Sequence, residues 1–132
     1  MTTDRIADML TRIRNANLVR HQIVRVIKTK IIFSLTKILK EEGYISSFEE
    51  IEIDNKKYLL LCLKYHNQKR EPIITGIKRI SKPGLRVYVN KSNLPNILNN
   101  LGIAVLSTSK GIITNHKAKK LGIGGEVICY IW

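Results

Sequence analysis

The sequence is poor in the residues that build covalent or metal-held frameworks. Only two cysteines, Cys62 and Cys129, occur in 132 residues, with no Cys-x-x-Cys pair and no neighbouring histidine cluster. That excludes a disulfide scaffold and a structural zinc site, and both thiols sit in apolar, strand-like runs where small core residues are expected. Long hydrophobic stretches are also missing. No uninterrupted apolar run exceeds six residues, as in Tyr58–Leu63, far short of the roughly 20 residues a membrane-spanning helix needs. The start, Met1-Thr2-Thr3-Asp4, has neither a basic n-region nor an apolar h-region, and no Ser/Arg-rich leader is visible. The expectation is a chain made in the compartment where it works. Acid is scarce too: 10 Asp and Glu stand against 23 Lys and Arg.

Signatures of catalysis are equally thin. No GxxxxGK[ST] stretch is present, so no phosphate-gripping loop is indicated. Gly122-Ile123-Gly124-Gly125 lacks the third glycine and the following helix of a dinucleotide loop, and leads into a strand instead. His21, His66 and His116 lie in three separate polar surroundings and read as solvated. No carboxylate pair has the apolar setting that raises a pKa for acid–base work. The expectation is a protein that is not an enzyme and has no cofactor, no metal and no small-molecule substrate.

What is present is a foldable, strongly basic chain. A hydrophobic content of 44% is ordinary for a globular protein, yet the formal net charge is +13. Such a charge repels itself on compaction, and a polyanionic partner is the usual reason to tolerate it. The excess is uneven: residues 1–66 carry 12 basic and 8 acidic side chains, residues 67–132 carry 11 and 2. The second half also lacks a basic amphipathic helix with a bulky apolar face, which argues against an anionic membrane.

Patterning predicts an α+β chain of two small lobes. An amphipathic helix occupies the first 17 residues, capped by Thr3, with Ile6, Met9, Leu10 and Ile13 on one face. A strand follows at Gln22–Ile27, then a helix from an N-cap at Thr29 to a stop at Gly43. Tyr44–Ile53 and Tyr58–Tyr65 read as a hairpin around a polar turn at 54–57. The polar stretch His66–Pro72 reads as a linker, dividing a 1–66 lobe from a β-rich 67–132 lobe. Beyond it, strands at Ile73–Ile80 and Leu85–Val89 flank a Lys82-Pro83-Gly84 turn. A short helix is expected at Ser92–Leu98, and strands at Ile103–Leu106, Ile112–Thr114 and Glu126–Ile131. Between the last two, Asn115 is expected to cap a basic helical turn closed by Gly122.

Three segments have chemistry suited to nucleic acid. Ser107-Thr108-Ser109-Lys110-Gly111 offers three short hydroxyls and a cation in one small turn; the alternative is an ordinary hairpin turn. Gly124-Gly125-Glu126 allows close backbone approach beside a carboxylate that accepts hydrogen bonds; the alternative is a turn and an exposed strand residue. Tyr88 sits among cations and suits stacking on a sugar or unpaired base, with a core aromatic as the alternative. Lys82 and Arg86 add charge nearby in sequence, while Arg5, Arg12, Arg14, Lys28 and Lys30 suit a separate stretch of phosphate backbone.

Five ordered segments, Ile6–Ala16, Leu39–Ile45, Arg79–Tyr88, Gly102–Thr114 and Gly124–Trp132, make the chain similar to the bacterial- and plastid-type small-subunit ribosomal protein number eight family. The resemblance spans essentially all 132 residues. It implies a two-lobed α+β protein that binds the central domain of small-subunit ribosomal RNA and supports subunit assembly and translation. Its partners would be that RNA and neighbouring small-subunit proteins, with no membrane. The resemblance also implies that the Ser-Thr-Ser loop and the Gly-Gly-Glu segment grip an irregular RNA helix. One departure is Asn115-His116-Lys117, where the family more often has Asp-Arg. Abundant isoleucine, lysine and asparagine, together with the 17–21 segment and the Cys-Tyr-Ile-Trp ending, point to a plastid, with the bacterial cytoplasm as the alternative.

Overall fold

The computed structural model describes residues 4–66 and 68–132. The chain folds as two units, Arg5–Thr75 and Gly76–Trp132, and the second also takes in Asp4.

The first unit opens with α1 (Arg5–Val19), which buries Met9, Leu10, Ile13 and Ala16 along one stripe. The cap expected at Thr3 lies outside the described residues. Next comes β1 (Ile23–Ile27), whose Val24 and Val26 turn inward while Ile23 and Arg25 stay exposed. Helix α2 (Lys30–Glu41) begins where the sequence predicts: the Thr29 hydroxyl accepts the Ile32 N–H at 3.1 Å. It ends in a Schellman pattern, with Tyr44 N–H bonded to Leu39 O at 2.8 Å and Gly43 N–H to Lys40 O at 3.1 Å. Gly43 makes that turn at φ +82, a conformation other residues resist. Leu35, Ile38 and Leu39 are buried, but Ile31 faces out and Ile32 fills the core position beside it.

Strands β2 (Ile45–Ile53) and β3 (Lys56–Leu63) form the expected hairpin with a tighter turn. Only Asp54 and Asn55 lie between them, at φ 50 and 64, the two-residue left-handed connection that suits twisted strands. Lys56 and Lys57, read as turn residues, instead pair with Ile53 and Glu52. The sheet order is β1-β3-β2, all antiparallel, so β3 is the centre. Its Leu59, Leu61 and Leu63 are fully buried, each burial worth about 1.5–3 kcal/mol. The period-two alternation puts Cys62 on the other face, half-buried rather than in the core expected of it. Strands β4 (Tyr65–His66) and β5 (Glu71–Pro72) pair with each other, and Ile73 N–H bonds Lys64 O at 3.1 Å. The stretch read as a linker therefore holds a small ladder within the first unit.

The second unit is built on its last strand. Its elements are β6 (Ile77–Arg79), β7 (Tyr88–Val89), β8 (Ile103–Thr108), β9 (Gly111–Thr114), α3 (Asn115–Leu121) and β10 (Gly125–Ile131). Strand β10 pairs with β8 on one side and with both β6 and β7 on the other, all antiparallel. The hairpin expected between 73–80 and 85–89 does not form. Buried Ser81 is the reason: its N–H bonds Val127 O at 3.1 Å and its hydroxyl accepts the Val87 N–H at 2.7 Å. Residues 82–86 are looped out, while Ile80, Ser81 and Val87 keep backbone bonds to β10, and the two short strands lie in succession along it. The turn at Lys82 does form, closed by reciprocal bonds to Leu85 of 2.9 and 3.0 Å.

Two further expectations fail for reasons of side-chain chemistry. No helix forms over 92–98. Ser92 gives its N–H and O–H to Asn90 Oδ1, and Leu98, Asn99 and Asn100 all take left-handed φ values of 47, 52 and 70. Asn115 does not cap α3; Thr114 does, accepting the Lys117 N–H at 3.2 Å. Buried Asn115 instead ties two segments together, accepting Ala104 N–H at 3.0 Å and donating to Pro95 O at 2.8 Å. The closing residue of α3 is Gly122, as expected. Ala104, Leu106 and Val127 centre this unit's core, with Val87 and Val89 packed against them.

Candidate nucleic-acid interface

Strand pairing in the second unit brings together residues that are far apart in sequence. Glu126 on β10 lies directly opposite Tyr88 on β7 and directly opposite Ser107 on β8. Directly paired antiparallel residues project from the same face, so Tyr88, Glu126 and Ser107 make one row across three strands. Tyr88 is 69% exposed, because Val87 and Val89 take the inward positions. The core-aromatic alternative is thereby excluded.

The carboxylate in this row is held in place. Arg86 Nη1 lies 3.1 Å from Glu126 Oε2, and the Glu126 side chain is mostly covered. Within Gly76–Trp132 nine lysines and arginines stand beside this one acid. A fixed carboxylate on a basic surface accepts hydrogen bonds from amino groups and hydroxyls while disfavouring phosphate. Such a group can discriminate between amino or hydroxyl donors and phosphate where cations alone do not.

Gly124 and Gly125 serve packing within the protein. A side chain at Gly125 would collide with the Ser107 carbonyl and the Thr108 methyl, and one at Gly124 with the Val89 carbonyl and the Asn90 backbone. Their bareness lets β10 approach β8 and the chain after β7, which sets the spacing of the Tyr88–Glu126–Ser107 row. The hydroxyl turn is divided in the same way. Thr108 Oγ1 donates to Gly111 O at 2.9 Å and accepts Lys110 N–H at 3.1 Å, so its hydroxyl shapes the turn. Ser109 and Lys110 are exposed at the tip. Lys82 and Arg86 share the 82–86 loop, whose flanking Ser81 and Val87 are anchored to Val127 of β10.

The first unit's cations do not form one patch. Arg5 and Arg12, seven residues apart, share a flank of α1, whereas Arg14 falls on the opposite flank at about 100° per residue. Arg12 pairs with Asp8 at 3.0 Å. Lys28 is engaged by Glu50 at 2.9 Å, whose carboxyl it holds below the ordinary range by hydrogen bonding, and it sits 5.1 Å from the Phe33 ring centre. Lys30 is exposed at the first position of α2. The sequence reading missed a groove of about 360 Å³ between α1 and β1, lined by Arg12, Asn15, His21 and Arg25 among others. The exposed alternation of β1 was the signal available for Arg25.

Comparisons with known proteins match this chain along its whole length. A family model described as Ribosomal protein S8 matches residues 4–132. Small ribosomal subunit protein uS8c of Thalassiosira pseudonana is 62% identical over 132 residues, covering 100% of both chains. The proteins of the same name from Phaeodactylum tricornutum and Cyanophora paradoxa are 60% and 59% identical, again over 100% of each chain.

Proposed function

The chain belongs to the ribosomal protein S8 family and is a structural protein of the small subunit of the plastid ribosome, not an enzyme; from that premise we propose how it holds its RNA. The Gly76–Trp132 unit grips an irregular helix in the central domain of small-subunit ribosomal RNA through Tyr88, Glu126, Ser107, Ser109 and Lys110. Regular A-form RNA hides its base edges in a deep, narrow major groove, so a distorted helix with splayed bases is the readable target. Tyr88 stacks on a sugar or base, Glu126 accepts from an amine or 2′-hydroxyl, and Ser107 and Ser109 bond sugar or base edges. Thr108, Gly124 and Gly125 shape this surface, while Arg86 and Lys82 supply charge beside it. Arg5, Arg12, Arg14, Lys28 and Lys30 of the first unit contact further phosphate. The single observation that carries this reading is the cross-strand row of Tyr88, Glu126 and Ser107 with Arg86 bonded to its carboxylate.

The test compares Glu126→Gln and Ser109→Ala with the unaltered protein on a central-domain RNA fragment and on a generic RNA duplex. Glu126→Gln weakens binding to the fragment by about tenfold, the equivalent of one charged hydrogen bond of about 1.4 kcal/mol. On the duplex it binds as well as before or slightly better, since a negative charge is gone. Equal losses on both RNAs would refute the assignment.

A further inference from the structure

The segment between β7 and β8, having failed to become a helix, walls a cleft of about 230 Å³ against α3. Its lining includes Lys91, Asn96 and Asn100 from the segment and Asn115, His116 and Lys119 from α3. Two lysines and a histidine thus converge from two elements, and no carboxylate is among the lining residues. The volume is below the range of about 300–1,000 Å³ typical of small-molecule pockets. It suits a phosphate with part of its sugar.

The walls are held in place. Asn115 bonds Pro95 O and Ala104 N–H at once, fastening the segment to β8. His116 Nε2 lies 3.3 Å from Gly102 O, which fixes the ring. Asn96 Oδ1 accepts the Asn100 N–H at 2.8 Å, leaving the Asn96 amide NH₂ as a donor. The consecutive left-handed residues 98–100 return the chain sharply to β8, and Asn100 lines the cleft. The cleft also adjoins the recognition row by direct chain continuity: Asn90, whose backbone lies against Gly124, precedes Lys91.

We propose that this cleft seats a backbone phosphate of the bound RNA, with Lys91 and Lys119 as its neutralising cations. The proposal rests on the RNA-binding reading above and adds a second contact to it. Neutralising one phosphate releases condensed counterions and adds about 0.7–0.9 to the slope of log affinity against log salt.

The experiment measures affinity of the full chain for the central-domain RNA fragment across a salt series, for the unaltered protein and for Lys91→Gln/Lys119→Gln. Both lysines are exposed, and a thermal melt checks that the double variant stays folded. The slope is expected to fall by about 0.7–0.9 in the variant. An unchanged slope, with the unaltered protein binding steeply, overturns the cleft and leaves the RNA reading intact. Absence of salt-dependent binding by the unaltered protein overturns the RNA reading itself. Inorganic phosphate titrated into the free protein is a separate arm. Saturable perturbation of His116 in an NMR spectrum that added RNA does not displace would make the cleft a small-anion site and overturn the proposal.

Discussion

At the scale of single residues, the proposed interface depends on what is missing as much as on what is there. Gly125 has no side chain because the Ser107 carbonyl occupies that space. Gly125→Ala forces β10 away from β8 and costs about 1–3 kcal/mol of stability, measured by urea denaturation. If the variant is as stable as the parent, the close approach of the two strands is not tight. Glu126 and Ser107 were both identifiable from sequence as polar residues near glycines. That they face each other, with Tyr88 on the far side of Glu126, depends on strand register, which composition does not encode. Thr108 illustrates the converse: its hydroxyl looked available, but Lys110 N–H and Gly111 O both engage it.

At the scale of elements, local signals succeeded where a segment satisfies its own backbone. Helix α2 has a hydroxyl cap, an apolar face and a glycine stop, all within its own length. Thr29→Ala removes the acceptor for Ile32 N–H and lowers stability by about 1 kcal/mol. A thermal shift below one degree would contradict the cap's contribution, given several degrees expected per kcal/mol in a small domain. Local signals failed where another segment supplies the partner. The 73–80 and 85–89 runs look like two arms of a hairpin, yet β10 offers both of them better pairing, and Ser81 secures the arrangement through Val127 and Val87. Residues 92–98 carry a cap-like serine and a first-turn proline, but Asn90 takes the serine and Asn115 takes the proline's carbonyl.

At the scale of the whole molecule, the two units differ in both charge and access. Six of the ten acidic residues fall within 41–54 of the first unit, while Gly76–Trp132 holds only Glu126. The two thiols report on the units separately. Cys62 is half-buried, and hydrogen bonding from Ser46 and then Gln22, whose Nε2 lies 3.2 Å from Sγ, lowers its pKa. Cys129 is fully buried, and that burial pushes its thiol from 9.0 up to about 12. One thiol per folded chain therefore reacts with an alkylating reagent near neutral pH, and the second only on unfolding. Rapid modification of both in the native protein would contradict this burial. The sign of the linkage follows. The unfolded chain loses the Cys129 proton first, so the thiol's contribution is present below pH 9 and is lost as pH rises toward about 12.

Composition, charge and ordered motifs were enough to determine the α+β class, the basic character and the family, because those properties are sums or strings along the chain. The boundaries of α2, the apolar stripe of α1 and the roles of Gly43 and Gly122 were legible for a related reason: each is settled within one or two turns of backbone. Tertiary structure alone decided which residues share a face. It set Tyr88 and Ser107 on either side of Glu126, gave Asn115 the task of fastening two segments instead of capping one, and opened a cation-lined cleft where a helix was expected. The first follows from strand register and the other two from buried Asn115, whose polar groups must find partners; when the partner is distant in sequence no local pattern records it.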